Sequence, residues 1–375
     1  MMDVSFYDFD FNRLGDFTRY TSFNIEPQYC GYGTAELHFP INNMDLISLL
    51  VKNEYIFFVA GDYSVIVTGF KITEDIAIYG RTCEWLLTKR GVNVFAYNEK
   101  TPEEIVTSIV ADSAGDFVTV IKAETNGDKM SFAIDKVKNL HDVVCEILNM
   151  QNIGFKLVPD IRQKQFIFSV YSGTERLVLL SQANRTAYDM AYTIEKQDMV
   201  TMSGWYERKL DDLGEWNAST NTPRISNNSS ENAYTYYKVS AAGSQFGMSF
   251  TKGDYIYSDQ ADGKLKKAVD KPENVWVYIE NPTVSGAKKW DAVLSGAKTE
   301  SEASAEIKTL SVREEIASEV KDVEYGRDYN LGDIVRVQYE AGHFKKSEKM
   351  RVSSVAIYFD VDKAGQVPNL RKLEG

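Results

Sequence analysis

His141 and Cys145 are the pair in this sequence whose spacing most invites chemistry. Four apart on a helical pattern, they share one face, where an imidazole could activate a thiol or both could hold a metal. Nothing nearby supplies a third ligand or an orienting carboxylate, and Cys145 lies beside an apolar stripe, so the plainer alternative is a core cysteine next to a half-exposed histidine. His38 and His343 complete the histidines, which leaves few ways to build another histidine-dependent site. Asp8 and Asp10, two apart on an alternating stretch, would lie about 7 Å apart on one strand face, which suits a cation site, an acid/base pair or simply a solvated surface. Asp259 and Asp262-Gly263 look like a fragment of a calcium loop, but the spacing is wrong and the downstream glutamate is missing, so a turn is the better reading. The P-loop, nucleophile-elbow, H-E-x-x-H and EF-hand patterns are absent, and no cofactor or metal is called for.

The elements that would carry these residues are mostly strands. Tyr7, Phe9 and Phe11 alternate with Asp8 and Asp10, predicting a half-buried strand with aromatics on one face. The runs "AELHFPI", "YIFFVAG", "SVIVTGF" and "DIAIYG" follow, with a short helix around Met44 to Val51, which suits a small barrel. Thr101-Pro102-Glu103-Glu104 supplies a cap, a proline at the first helical position and a glutamate that can bond back, so a helix burying Ile105, Val106 and Ile109 starts there. A second helix is predicted from Lys138 to Met150, with Val137, Leu140, Val144 and Ile147 on its apolar stripe, followed by the strands "IGFKLV" and "QFIFSVY". From Arg176 onward strand patterns resume, broken by polar tracts at 211–233 and 258–274 that read as surface excursions, and a helix is predicted over 302–310. The expected fold is mainly β with a smaller α+β part: a barrel-like domain over 1–92, an α+β domain over 93–175, and a second β-rich barrel-like domain over 176–375 carrying the two polar insertions.

At 375 residues and 43% hydrophobic, the chain can bury several cores. Its net charge of -12 opposes binding to phosphate backbones or anionic lipid through charge alone. Cys30, Cys83 and Cys145 are odd in number and widely spaced, so ordinary buried thiols are expected rather than a disulfide framework or a zinc cage. The sequons at Asn184, Asn217 and Asn228 carry weight only in a glycosylating pathway. The first twenty residues lack a signal-peptide pattern and no run approaches 18 apolar residues, so a soluble protein made in the cytoplasm is expected. Aromatics are abundant, with 22 Tyr and 19 Phe, and clusters such as Tyr234, Tyr236, Tyr237 and Tyr255, Tyr257 leave room for an assembly surface or a carbohydrate groove.

In order along the chain, "YDFDFNRLGDFTRYTSFN…YGTAELHFP", "YGRTCEWLLTKR" at 79–90, the capped helix, and "YGRDYNLGDIVRV" at 325–337 resemble the tail-tip hub family of siphophages, the tail-associated or Tal proteins, which look like the central hub of contractile-tail baseplates. The resemblance covers about Val4 to Val355, and the length is closest to the short tip protein of lactococcal siphophage baseplates. The family's glycine step, paired leucines and basic residue correspond to Gly80, Arg81, Leu86, Leu87 and Arg90. Gly80 is expected to end a strand and release a short helix whose Trp85, Leu86 and Leu87 plug the first barrel. Leu331, Gly332 and Asp333 match the family's Leu-Gly-Asp element, an architectural turn in which glycine takes a conformation closed to other residues and the carboxylate satisfies amides.

The resemblance implies a structural, non-enzymatic protein of the virion tail tip. It would be a homotrimer at the distal end of the tail tube that meets a hexameric distal tail protein and encloses the channel through which DNA leaves without specific binding. Receptor-binding proteins and the tape-measure protein are implied as neighbours, and host-surface contact would be indirect. Many relatives continue into a peptidoglycan hydrolase or a fibre; this sequence stops at Gly375, so no lytic activity is expected. The alternatives are a carbohydrate-binding tail module with tyrosines in a groove, and a hydrolase using Asp8 and Asp10.

Overall fold

The computed structural model describes residues 3–121, 126–134, 136–195, 203–272, 274–280, 292–294, 313–360 and 363–373, together with 299, 300, 303, 304, 307 and 310. The chain divides into two units, Met1–Ile194 with Arg313–Gly375, and Glu195–Val312.

In the first unit, alternation of apolar residues builds β1 (Val4–Asp8), β2 (Arg13–Phe17), β3 (Ser22–Glu26) and β4 (Thr34–Pro40), then β5 (Ile56–Ala60), β6 (Tyr63–Ile72) and β7 (Asp75–Thr82) after the helix α1 (Met44–Lys52). Along β4, Ala35, Leu37 and Phe39 are buried while their neighbours are not, as period two requires. The strands pair antiparallel in the order β2-β1-β5-β6-β7-β4-β3. Asn43 caps α1 by accepting from the Leu46 amide, and Leu46, Leu49 and Leu50 face the core.

The two β ends expected as separate barrels are joined in one 13-stranded sheet with a shared core. The cause is the strand Phe344–Asp360, whose 17 residues span on the order of 55 Å. Its first half pairs with Ile334–Ala341, its last residues pair with β3, and Ala364–Lys372 runs alongside. Val335, Val337, Met350, Val352 and Leu370 thereby enter the same cluster as Val4, Phe6, Phe23 and Leu37. The mainly β class with a smaller α+β part stands.

The α+β part forms a second core. Helix α2 (Pro102–Ala114) carries the expected capping box between Thr101 and Glu104 and buries Ile105, Val106 and Ile109. Helix α3 (Leu140–Asn149) is shorter than predicted, because Lys138–Asn139 pairs with Gly91–Val92 and Asn139 becomes the cap. Val137, placed on the apolar stripe by its spacing, is consequently exposed. Both helices pack on the sheet formed by Val118–Ile121, Gln165–Tyr171 and Gly154–Asp160.

The second unit lies within the third expected segment. Its polar tracts are built into the fold rather than looped out of it. Asp211–Asn217 is a strand parallel to Thr235–Ala241, and Trp216 is fully buried with Val239, Phe250, Ile256 and Leu265. Lys266–Ala268 pairs with Tyr255–Tyr257. Tracts rich in Asn and Lys hid these elements, since a few buried apolar residues suffice for a small core. Most of the helix predicted over 302–310 lies outside the described residues. Among the described residues no helix is long and apolar enough to cross a membrane.

Candidate functional site: a junction around Tyr29, Gly332 and Asp333

The Leu-Gly-Asp turn brings together segments that are distant in sequence. Gly332 holds φ +83°, a region that costs an L-residue about 1–2 kcal/mol. It also packs against Tyr29 so closely that an added Cβ would lie 2.1 Å from Cε2 of the ring. Gly154 approaches the same ring, where a Cβ would meet Cε2 at 2.3 Å. The Tyr29 hydroxyl lies 3.0 Å from the Asn152 carbonyl, and it accepts from the Gly173 amide at 3.2 Å. The Tyr29 amide donates to Ser353 and its carbonyl accepts from Phe155, while Arg351 donates to the Gly332 carbonyl at 2.8 Å with its guanidinium 5.6 Å from the Tyr29 ring centre. Burial pushes the Tyr29 hydroxyl above its ordinary pKa.

Asp333 is almost completely buried and fully engaged. One carboxylate oxygen accepts from the Thr174 amide at 2.8 Å and hydroxyl at 3.2 Å; the other accepts from Arg176 Nε at 2.7 Å and the Asn330 amide at 2.9 Å. Burial alone would raise its pKa, but the Thr174 amide, Arg176 and the Asn330 amide outweigh that and hold it below the ordinary value of 3.8. Backbone bonds from Gly332 to Val352, from Val352 to Asp333 and from Ile334 to Thr174 close the turn. These side chains are consumed by structure: the carboxylate has no free lone-pair direction facing an open cleft. Leu331 is buried in the first core.

The other family-motif residues lie elsewhere in the first unit. Gly80 does not end its strand; β7 continues two residues to Thr82. Arg81 lies over the Tyr32 ring at 5.9 Å. The 3-10 helix Cys83–Lys89 does follow, yet Leu87 is buried in the second core, against Phe57, Ile66 and the α+β helices, with Trp85 and Leu86 half-buried beside it. Trp85, Leu86, Leu87 and Arg90 line an open groove of about 640 Å³ with Phe9, Tyr55 and Phe117. The Arg90 carbonyl accepts from the Leu140 amide at 2.9 Å, tying the motif to α3. Glu84, which the sequence did not single out, is half-buried and accepts from the Leu157 amide at 3.0 Å; loss of solvent around it raises its carboxyl pKa.

The candidates for chemistry resolve differently. Asp8 and Asp10 do not share a strand face, because β1 ends at Asp8 and the chain turns, with Phe11 at φ +61°. Asp8 accepts from the Asp10 and Asn12 amides, a local bond that outcompeted the alternating pattern. The aromatic stripe survives the turn, since Tyr7, Phe9 and Phe11 all pack on the second core. Asp259 pairs with Lys266 at 2.7 Å and Asp262 accepts from the Lys264 amide, so the calcium-loop fragment is an ion pair and a turn. Tyr236 and Tyr237 are buried, which removes them from any exposed carbohydrate groove. His141 and Cys145 are adjacent, with Nε2 3.5 Å from Sγ. Cys30 and Cys145 are half-buried rather than core thiols, whereas Cys83 is buried. Among the described residues, no group of three His, Cys, Asp or Glu is placed to hold a metal.

Sequence reasoning found Gly332 and Asp333 but missed Tyr29, Gly154, Thr174, Arg176 and Arg351. Tyr29, Thr174 and Arg176 have partners more than a hundred positions away, Gly154 and Arg351 meet the ring of the distant Tyr29, and no local pattern marks any of them.

No curated protein matches the chain. The family model described as Siphovirus ReqiPepy6 Gp37-like protein matches residues 3–368. Among solved structures, the 43 kDa tail protein of prophage MuSo2 from Shewanella oneidensis is similar at a TM-score of 0.53 and 11% identity, covering 98% of each chain. The tail protein from Neisseria meningitidis MC58 has a TM-score of 0.53 at 10% identity, covering 99% of this chain and 96% of that one. Prophage tail protein gp18 from Listeria monocytogenes EGD-e has a TM-score of 0.51 at 12% identity, covering 99% of this chain and 95% of that one. At these identities the shared property is the fold, and it extends along the whole chain.

Proposed function

The chain belongs to the siphovirus ReqiPepy6 Gp37-like family, and from that premise we propose that it is a structural protein of the phage tail, acting as a homotrimeric hub at the distal end of the tail tube. The observation that carries this reading is the family match from residue 3 to 368, with similarity to phage tail proteins across almost the entire chain. The junction supports it: the Leu-Gly-Asp turn spends its carboxylate and its glycine on fastening distant segments, a role in architecture and not in turnover.

In this reading three copies close or surround the channel for DNA exit and meet a hexameric distal tail protein, with receptor-binding proteins and the tape-measure protein as neighbours. Host contact is indirect. The net charge of -12 suits a lumen that DNA slides past, because like charges disfavour adsorption of the phosphate backbone. The protein has no catalytic duty in this scheme.

Light-scattering mass of the purified chain, alone and mixed with the distal tail protein of the same phage, tests the proposal. A stable trimer that binds the ring is expected. A monomer indifferent to the ring would overturn the hub reading.

A further inference from the structure

Cys30 lies on the segment that carries Tyr29, and ring geometry independently places that segment against α3. Tyr32 meets His141 edge-on at 5.0 Å, His141 meets Phe155 at 6.1 Å, and the Phe155 amide donates to the Tyr29 carbonyl. In this arrangement the Cys30 and Cys145 side chains are neighbours that influence each other's charge, and the Cys145 sulfur lies 3.5 Å from His141 Nε2. Both cysteines are half-buried and unpaired, and both pack at the margin of the second core.

We propose that Cys145 and Cys30 form a thiol-disulfide modification site: Cys145 captures a low-molecular-mass disulfide such as oxidised glutathione, and Cys30 resolves the adduct into an intramolecular Cys30–Cys145 bond. The groups facing the pair set its reactivity. The neighbouring Cys30 thiol and then the His141 imidazole lower the Cys145 pKa below the ordinary thiol range, against the opposing effect of burial and of Asp142. Burial disfavours the His141 cation, but the Cys145 sulfur and Asp142 outweigh it and raise its pKa; the half-buried Glu84 also acts on this histidine. The Cys145 sulfur beside it and burial raise the Cys30 pKa and keep that thiol protonated, as a resolving thiol should be before the adduct forms.

The chemistry balances. The Cys145 thiolate attacks one sulfur of the small disulfide, forming a mixed disulfide and releasing one thiolate, which takes the imidazolium proton of His141. The Cys30 sulfur then attacks the Cys145 sulfur of the adduct and expels the second small thiol, which leaves with the Cys30 proton. One small disulfide is reduced to two thiols, two protein thiols become one disulfide, and His141 ends neutral. The new bond fastens the Tyr29 segment to α3, next to the junction.

The test uses the full chain. It is exposed to oxidised glutathione near neutral pH, the remaining thiols are trapped by alkylation, and peptides are mapped by mass spectrometry. A Cys30–Cys145 linked peptide is expected, with Cys83 unreacted until the protein is denatured. Cys30→Ser should arrest at the glutathione adduct of Cys145, and Cys145→Ser should leave Cys30 unmodified. His141→Gln should slow alkylation of Cys145 about tenfold near neutral pH, with the difference shrinking as pH rises and the Cys145 thiol ionises without help from the imidazole. The circular dichroism of each variant reports folding, and the pH profile of wild-type alkylation gives a readout that needs no variant. Equal reactivity of all three cysteines, a lasting wild-type adduct with no cross-link, or a Cys145 rate that rises only through the ordinary thiol range would overturn the proposal.

Discussion

Replacing Gly332 with alanine should cost far more than its backbone angle explains. Gly332 and Gly326 have nearly the same φ, +83° and +85°, but a Cβ on Gly326 meets nothing within 4 Å, whereas one on Gly332 would lie 2.1 Å from Cε2 and 2.5 Å from Cζ of Tyr29. The backbone penalty, about 1–2 kcal/mol, is offset by up to about 1 kcal/mol from the stiffer unfolded chain, so Gly326→Ala should destabilise by about 1 kcal/mol. Overlap with a packed aromatic ring adds about 1–3 kcal/mol, putting Gly332→Ala at about 2–4 kcal/mol. Urea titrations followed by circular dichroism, with hydrogen exchange at the Gly332 and Val352 amides, measure both variants. Tyr29→Ala supplies the decisive background: with the ring gone, Gly332→Ala should fall to the Gly326→Ala cost, a coupling of about 1–3 kcal/mol. If Gly332→Ala matched Gly326→Ala within about 0.5 kcal/mol, or cost the same without the ring, the close-packing argument would be wrong.

Further expectations follow from other groups. Asp333→Asn should destabilise by about 2–4 kcal/mol, because the Thr174 and Asn330 amides and Arg176 lose an ionised acceptor. Since the folded pKa of Asp333 is depressed, its contribution is present above the ordinary value of 3.8 and is lost as pH falls through the folded value, so urea midpoints of the Asn variant should be flatter on acidification. His38 bridges Asp75 at 2.5 Å and Glu36 at 2.8 Å, and although burial opposes its charge, these carboxylates raise its pKa above 6.5. That stability is present below 6.5 and disappears as pH rises through the folded value; His38→Gln should remove about 0.5–1 kcal/mol of it at mildly acidic pH and little at alkaline pH, read as Tm against pH. Trp216→Ala should destabilise the second unit by about 3–5 kcal/mol, visible as lost hydrogen-exchange protection in peptides from Asp211–Asn217 and Thr235–Ala241.

Local signals carried the sequence reading where they acted alone. Thr101 and Glu104 marked the start of α2 because a capping box needs four residues and nothing else. The alternation in β4 survives because its partners bury the same face along its whole length. The readings that failed did so where two local preferences competed: at Asp8 a side chain bonding to nearby amides ended a strand that the aromatic stripe would have prolonged. Asp333 was recognised as a turn carboxylate, but its partner Arg176, 157 positions earlier, leaves no trace in local composition. The polar tracts show the converse. Trp216 and Ile225 anchor a core inside a stretch that averages as loop, because averaging weighs residues equally and burial does not.

The strand Phe344–Asp360 also has a consequence for how this chain is made. Its last residues cover the edge of β3, and Asn369 reaches back 343 positions to hydrogen-bond Glu26. On a ribosome adding roughly 5–20 residues per second, the β3 edge emerges tens of seconds before the segment that will cover it. Until then the nascent chain presents an open row of amides and carbonyls, the arrangement most prone to pairing with a neighbouring chain. Translation speed and the shielding of that edge therefore set the fraction of chains that mature, and crowded polysomes late in infection are where losses should concentrate.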